Sequence, residues 1–421
     1  MGNSANPQNH KKAELLAPAG DLEKLKTAIL YGADAVYVGF SGLSLRALSG
    51  SLDMADLRKG IDIAHTYNKK LFVAVNIFAR NKDLETTKEQ IRQIALAGAD
   101  AVIVSDPGIF SIVQEEAPQL PIHLSTQANC TNYAAARFWH QQGVKRIVLA
   151  RELSLKEIAE LNKSVPEDLE LEMFVHGAMC MSYSGRCLLS NYLVGRDANQ
   201  GDCAQPCRWK YQLVEEKRPE HFMPVVEDDN GTYIMNSHDL CLIEYLPEVL
   251  QSGVSSLKIE GRMKSTYYVA TVVSAYRAAL DQYYADPDNY SFHPELYLEV
   301  SKASHREFTT GFAIDDDRRI VRQNYQTSSY IRNYDVIGIV RSFEEETGIT
   351  VVEQRNRFYK GDEIEIMIPR QGYENDVVAE MWDENGNEIT VAPHPQMTVR
   401  LKFSKRVPPD AILRKRLIDK T

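Results

Sequence analysis

An α/β fold, a TIM-type (β/α)8 barrel with a cysteine-bearing insertion followed by a small C-terminal β-barrel domain, is predicted by three observations. First, Gly32-Ala33-Asp34-Ala35-Val36-Tyr37-Val38 returns as Gly98-Ala99-Asp100-Ala101-Val102-Ile103-Val104, with weaker echoes from Gly143 and Gly253. Each copy reads as a helix stop feeding a buried strand: Gly supplies the left-handed residue past a helix, and a short β-branched run suits a strand covered on both faces. Second, such runs alternate with stretches whose apolar residues recur at three and four, and eight alternations imply a closed barrel with its site at the C-terminal strand ends. Third, from about Asp335 the pattern changes to short strands separated by turns.

Taken in order, the barrel strands are expected at Glu14–Leu16, Ala35–Gly39, Leu71–Asn76, Ala101–Ser105, Ile122–Thr126, Arg146–Ala150, Leu171–Val175 and Leu257–Glu260. Helices are expected between most of them, at Asp21–Tyr31, Met54–Tyr67, Leu84–Ala97, Asn132–Gln142 and Leu155–Asn162. An open doubly wound sheet competes with this reading, but no Gly-rich phosphate fingerprint follows the first strand. The insertion from Cys180 to about Ile234 follows strand seven, so its cysteines fall on the barrel's functional face. Helices at Tyr267–Ala285 and Pro294–Ser304 precede six short strands, Val336–Val340, Gly348–Val352, Asp362–Met367, Val377–Met381, Glu388–Val391 and Met397–Phe403. They read as a small β-barrel, a binding platform or a structural appendage.

A chain of 421 residues suits one large barrel plus a companion. The expected layout is a disordered leader over 1–12, the barrel domain over 13–312, a linker over 313–334, the β domain over 335–410 and a basic tail over 411–421. No apolar run is long enough to cross a membrane, the first dozen residues lack an apolar core, and Asn6 stands where a myristoylation motif needs Ser or Thr. A cytoplasmic protein without membrane contact is therefore expected. A net charge of -10 argues against indiscriminate nucleic-acid binding, which relies on a basic surface. Local basic clusters remain at Arg186, Arg196, Arg208 and Lys210, and at Arg400, Lys402, Lys405, Arg406, Arg414, Lys415 and Arg416. Each cluster reads equally well as solvated surface charge.

Four of the six cysteines, Cys180, Cys187, Cys203 and Cys207, crowd into one polar stretch, with Cys241 further on. In a chain without a secretory signal this argues for a metal or iron–sulfur site. The gaps fit no zinc-finger template with tight C-x2-C pairs, while long uneven gaps suit thiolates converging from separate turns on a [4Fe-4S] cube. Spacing leaves iron–sulfur and zinc both open. Cys130, alone, reads as a buried thiol.

Polar residues stand where strand ends should be apolar: Glu14, Asn76, Gln127, Arg151, Glu152, His176, Lys258, Glu260 and Arg262. His176, Glu260 and Gln127 are the candidates for chemistry, and Arg151, Lys258, Arg262 and Asn76 for substrate binding. Guanidinium and ammonium groups there suit a small dianionic carboxylate, although Arg and Glu at strand ends also pair with one another structurally. His176 could orient substrate, act as acid or base, or cap its strand. Neither H-E-x-x-H nor G-x-S-x-G occurs, so a protease lacks its machinery.

The stretch Glu172-Met173-Phe174-Val175-His176-Gly177-Ala178-Met179-Cys180-Met181-Ser182-Tyr183-Ser184-Gly185-Arg186-Cys187 resembles the signature of the peptidase U32 family. Glu14–Gly20, Asn236–Cys241, Lys258-Ile259-Glu260-Gly261-Arg262 and His305–Phe312 agree with it, so the resemblance runs from about residue 13 to the end. Within the family the chain looks most like the branch that makes 5-hydroxyuridine at wobble position 34 of tRNA and depends on prephenate. The resemblance implies tRNA and prephenate as partners, and leaves a paralogous U32 subunit open as another. It further implies a [4Fe-4S] cluster on Cys180, Cys187, Cys203 and Cys241, with Cys207 as an alternative ligand. A collagenase-like peptidase, as the family name suggests, and a non-catalytic iron–sulfur or RNA-binding partner protein are the competing functions.

Overall fold

The computed structural model describes residues 12–43, 51–179, 187–196, 203–206, 214–215, 218–222, 227–228, 231–232, 238–314 and 330–417. Eight parallel strands close into a barrel: β1 (Glu14–Ala19), β2 (Ala35–Phe40), β3 (Lys70–Val75), β4 (Ala101–Val104), β5 (Ile122–Leu124), β6 (Arg146–Val148), β7 (Glu170–Ala178) and β8 (Ser256–Ile259). Closure comes from β8, which pairs in parallel with both β7 and β1. The helices between them are α1 (Leu22–Tyr31), α2 (Met54–Thr66), α3 (Leu84–Ala97), α4 (Pro107–Glu116), α5 (Tyr133–Gln141), α6 (Leu155–Asn162), α7 (Leu246–Gln251) and α8 (Thr266–Ala285). Helix α4 is not among those singled out above, yet its start is written in Asp106-Pro107. The Asp106 carboxylate accepts the Gly108 and Ile109 N–H groups at 2.8 and 3.0 Å, and Pro occupies the first turn, where no N–H is needed.

Outward strand residues such as Leu15, Val36, Val73, Val102 and Leu257 pack under the helices in one large core. The barrel interior is not uniformly apolar. Leu16, Tyr37, Phe72 and Ile103 fill its middle, while charged side chains occupy the side of β6 to β8.

Beyond Val148 the upper edge of β7 has no β6 partner. The strand Asp239–Cys241 takes that edge, antiparallel, with Cys241 opposite His176, and itself pairs with Phe308–Thr309. The polypeptide leaving the insertion is thus tied back onto the strand from which the insertion departs.

The C-terminal domain is a seven-stranded antiparallel sheet rather than a closed barrel. Its strand order is Gly372–Val377, Glu363–Ile368, Ile412–Arg416, Tyr334–Glu344, Ile349–Gln354, Thr398–Lys402 and Glu380–Trp382, and it curls as an open half-barrel over Ile337, Val352, Phe358, Ile366, Val399 and Leu413. Two sequence expectations are corrected here. Val377–Met381 is not one strand but the end of one and the start of the next, because the Val378 N–H turns away to the Asp362 carbonyl. Residues Ile412–Arg416 are not a tail: they lie between Tyr334–Glu344 and Glu363–Ile368, inside the sheet.

The two domains share a core, with Ile339, Met367 and Ile412 joining the barrel's cluster. At the junction the fully buried Arg414 guanidinium pairs with Glu299 and Glu365, both at 2.6 Å, and Lys302 pairs with Glu365 at 2.9 Å. Tyr31 Oη donates to the Met367 carbonyl at 3.0 Å. Among the described residues no helix is long and apolar enough to cross a membrane.

Candidate active site at the barrel mouth

The C-terminal ends of the strands gather several of the predicted residues. Glu260, one residue past β8, is half-buried; its Oε2 accepts Tyr37 Oη at 3.0 Å and its own neighbour's Gly261 N–H at 2.8 Å. Gln127 is buried in the short helical turn Thr126–Ala128 that follows β5, a turn capped by Ser125. Asn76 is half-buried after β3, and its carbonyl accepts Ser105 Oγ at 3.2 Å. Arg151 leaves β6, stacks 4.2 Å over the Phe174 ring and donates from Nη1 to the Ala178 carbonyl at 2.6 Å. Its Nε is buried with no partner, and no carboxylate lies at ion-pair distance from it among the described residues. Glu152 beside it is half-buried, and burial raises its carboxyl pKa, with Arg151 partly offsetting that. A small cavity against Arg151 and Phe174 is otherwise lined by Thr310 and by apolar groups including Leu153, Met173 and Leu240.

Two predicted residues, Lys258 and Glu14, do other work. Lys258 is not an open substrate cation. Its Nζ lies inside the barrel, 2.8 Å from Glu172 Oε1 and 4.5 Å from the Tyr37 ring. Glu172 also takes hydrogen bonds from Arg146 at 3.1 Å and Ser256 at 3.0 Å, and Arg146 reaches Glu14 at 2.6 Å and Glu170 at 2.7 Å. Burial would raise the Glu172 carboxyl, but Lys258 and Arg146 more than offset it and hold the pKa down at about 2. Glu14 therefore belongs to this internal cluster at the N-terminal end of β1, the face opposite the mouth. Arg262 is 5% exposed, so it presents no solvated cation.

His176 points out of the barrel, away from Glu260 and Gln127. A register shift in β7 pairs Lys258 with Phe174 but Ile259 with His176, so His176 takes the outward orientation of Ile259. There it packs against Tyr276 and Phe308, with ring centroids 5.6 and 5.4 Å away, and beside Tyr268. Burial, with His305 and Lys264 nearby, lowers its pKa to about 3, so the ring is neutral. The bend also explains Gly177: its φ is +111°, and a Cβ there would lie 2.5 Å from the Glu260 carbonyl oxygen.

Of the cysteines, Cys180 and Cys207 lie outside the described residues. Cys187 is half-buried and Cys203 exposed, and Cys203 Sγ accepts the Gln205 N–H at 3.3 Å, the kind of bond that tunes ligating thiolates. Cys241 is buried with Tyr276, and burial pushes its thiol up to about 12. Among the described residues, no three His, Cys, Asp or Glu side chains are placed to hold a metal ion. The C-terminal basic residues are largely neutralised: Arg400 pairs with Glu344, Lys405 with Glu374, Arg406 with Glu345 and Lys415 with Asp362.

Sequence reasoning missed Tyr37, Phe174, Arg146 and Glu172 as parts of this arrangement. Only period-two counting along β2 and β7 from an anchored register would have turned them inward.

Comparison with known proteins places this geometry in a lineage. The chain is 40% identical over 405 residues to tRNA hydroxylation protein P1 of Bacillus subtilis, covering 96% of this chain and 95% of that one. It is 39% identical over 434 residues to tRNA hydroxylation protein P of Escherichia coli, covering 93% of each. The 23S rRNA 5-hydroxycytidine C2501 synthase of E. coli is 37% identical over 270 residues, covering 64% of this chain and 39% of that one. Residues 20–323 match the model described as peptidase family U32 and residues 332–414 that of the peptidase family U32 C-terminal domain, so the chain, barrel and half-barrel together, belongs to peptidase family U32.

Proposed function

We propose that this chain is an RNA-modifying enzyme that hydroxylates C5 of uridine 34 in tRNA with prephenate as co-substrate. Two nearly full-length relatives carry the name tRNA hydroxylation protein, and a third is named as an rRNA hydroxycytidine synthase, which favours oxidation of a pyrimidine in RNA over proteolysis. The carrying observation is Arg151: a stacked guanidinium at the mouth with no carboxylate partner among the described residues suits a carboxylate brought by a small molecule.

In this reading Arg151 holds a prephenate carboxylate, and the Phe174 ring fixes the guanidinium plane. Glu260, oriented by Tyr37, serves as proton acceptor at the mouth. Asn76 and Gln127 present amides suited to the edges of an extruded, unstacked base, as anticodon loops supply. Cys180, Cys187, Cys203 and Cys241, with Cys207 as the alternative, would hold a [4Fe-4S] cluster, which supplies one-electron redox chemistry when bound. The His176 side chain, facing away from this pocket, is assigned to packing.

The test is reconstitution: purified brown protein, unmodified tRNA and prephenate, with nucleosides read by mass spectrometry. Formation of 5-hydroxyuridine that requires prephenate is expected. Product formed equally well without prephenate would refute the carboxylate role of Arg151.

A further inference from the structure

The cavity beside Arg151 has the chemistry to hold an anion, yet it is nearly closed. Its volume is about 10 Å³, room for about one water. A carboxylate with the carbon that bears it needs more, so a wall has to move before a small acid reaches Arg151. The guanidinium itself needs no rearrangement. Nη1 is occupied by the Ala178 carbonyl, whereas the Nε–Nη2 edge, whose two N–H bonds run parallel, has no acceptor among the described residues.

Of the lining residues, Leu153, Ile158, Met173, Phe174, Leu240 and Ala313 are fixed in the large core. Thr310 is not. It lies in the turn 309–313, whose two ends are anchored: Thr309 pairs with Leu240, and the Ala313 carbonyl accepts the Leu155 N–H at 2.8 Å. Between the anchors the tip is held by two hydrogen bonds, Gly311 N–H to Thr309 Oγ1 and Ala313 N–H to the Thr310 carbonyl, both at 3.1 Å. Phe312 is 42% exposed, and Gly311, at φ +58°, lets the chain double back. Swinging residues 310–312 outward therefore breaks two bonds that water replaces and leaves the core in place.

Besides Arg151, Thr310 is the single polar side chain in the lining, and its hydroxyl bonds to no other group among the described residues. A turn that only plugged the cavity would be better served by an apolar side chain, since an unpaired hydroxyl against apolar walls costs free energy.

We propose that residues 310–312 are a lid over the Arg151 site: the lid opens to admit the co-substrate's carboxylate to the free guanidinium edge, then closes with the Thr310 hydroxyl as second donor to that acid group. The inference rests on the assignment of Arg151 to the prephenate carboxylate and adds the residue that closes behind it. Binding and closure are then one event, because the acid group completes the hydrogen bonding of both side chains.

The experiment uses the full-length protein. Hydrogen exchange of the peptide spanning 308–313 is read by mass spectrometry with and without saturating prephenate. Dissociation constants for prephenate are measured by calorimetry for the wild type, Thr310→Val and Thr310→Ser. In the wild type, prephenate is expected to slow exchange of the Gly311 and Ala313 amides about tenfold. Thr310→Val, equal in shape but without the hydroxyl, should bind about tenfold more weakly and lose most of that protection, while Thr310→Ser should restore affinity to within about twofold. Wild-type affinity in Thr310→Val, or exchange in the wild type unmoved by prephenate, refutes the lid and leaves the Arg151 site standing. If the wild type binds no prephenate, the co-substrate reading fails and the lid with it.

Discussion

Glu172→Gln removes the anion at the centre of the barrel's internal charge cluster. The carboxylate, 1% exposed, receives Lys258 at 2.8 Å, Ser256 at 3.0 Å and Arg146 at 3.1 Å. Arg146 keeps Glu14 and Glu170, but Lys258 is left buried without its ion-pair partner. Losing one partner of a buried pair costs about 3–5 kcal/mol. A second route gives a similar size: the carboxyl pKa falls from 4.5 in the unfolded reference to about 2 in the fold, which at about 1.4 kcal/mol per unit is about 3 kcal/mol. Because the folded pKa is the lower one, this contribution is fully present above about pH 4.5 and is lost as pH falls toward 2. Urea unfolding followed by circular dichroism should therefore show Glu172→Gln about 3 kcal/mol less stable at pH 7, with a smaller loss between pH 5 and 3 than the wild type suffers. Adding Lys258→Met to Glu172→Gln should restore more than half of the deficit, since neither charge is then left alone. A single variant within about 1 kcal/mol of wild type, or a double variant no better than the single, would refute the structural assignment of Lys258 and return it to the substrate-binding candidates.

Three further outcomes follow from the same geometry. Arg151→Gln should raise the KM for prephenate by ten- to a hundredfold, about 1.5–3 kcal/mol for a lost charged hydrogen bond, with melting temperature nearly unchanged; an unaltered KM would remove Arg151 from the site. Arg414→Met should destabilise the whole chain by about 3 kcal/mol, because Glu299 and Glu365 lose their shared cation at the domain junction, and one cooperative transition should carry the loss. Separate melting of the half-barrel would contradict the shared core. Cys187→Ser should bleach the visible absorbance and abolish product, and a colourless yet active variant would exclude the cluster from catalysis.

The barrel was legible because each Gly-led β-branched run satisfies both local propensity and two-sided burial, so every strand announces itself twice. What escaped depends on contacts remote in the chain. Ile412–Arg416 reads as a basic end, yet Arg414 is buried because Glu299 and Glu365, 115 and 49 residues away, neutralise it. Lys258 reads as a mouth cation until Glu172, 86 residues earlier, is seen to hold it inside. His176 reads as an inward residue for a different reason: a one-residue irregularity in β7 reverses the alternation that counting assumes, and no residue type announces it. Arg151, by contrast, lies in the turn after β6, where the end of the apolar run Ile147–Ala150 puts it.

The most direct test of the central reading is nucleoside mass spectrometry of tRNA from a host stripped of its own wobble-uridine hydroxylases, expressing either the wild type or Arg151→Gln. 5-Hydroxyuridine is expected with the wild type, and a marked reduction with the variant. No 5-hydroxyuridine from soluble brown wild-type protein would contradict it.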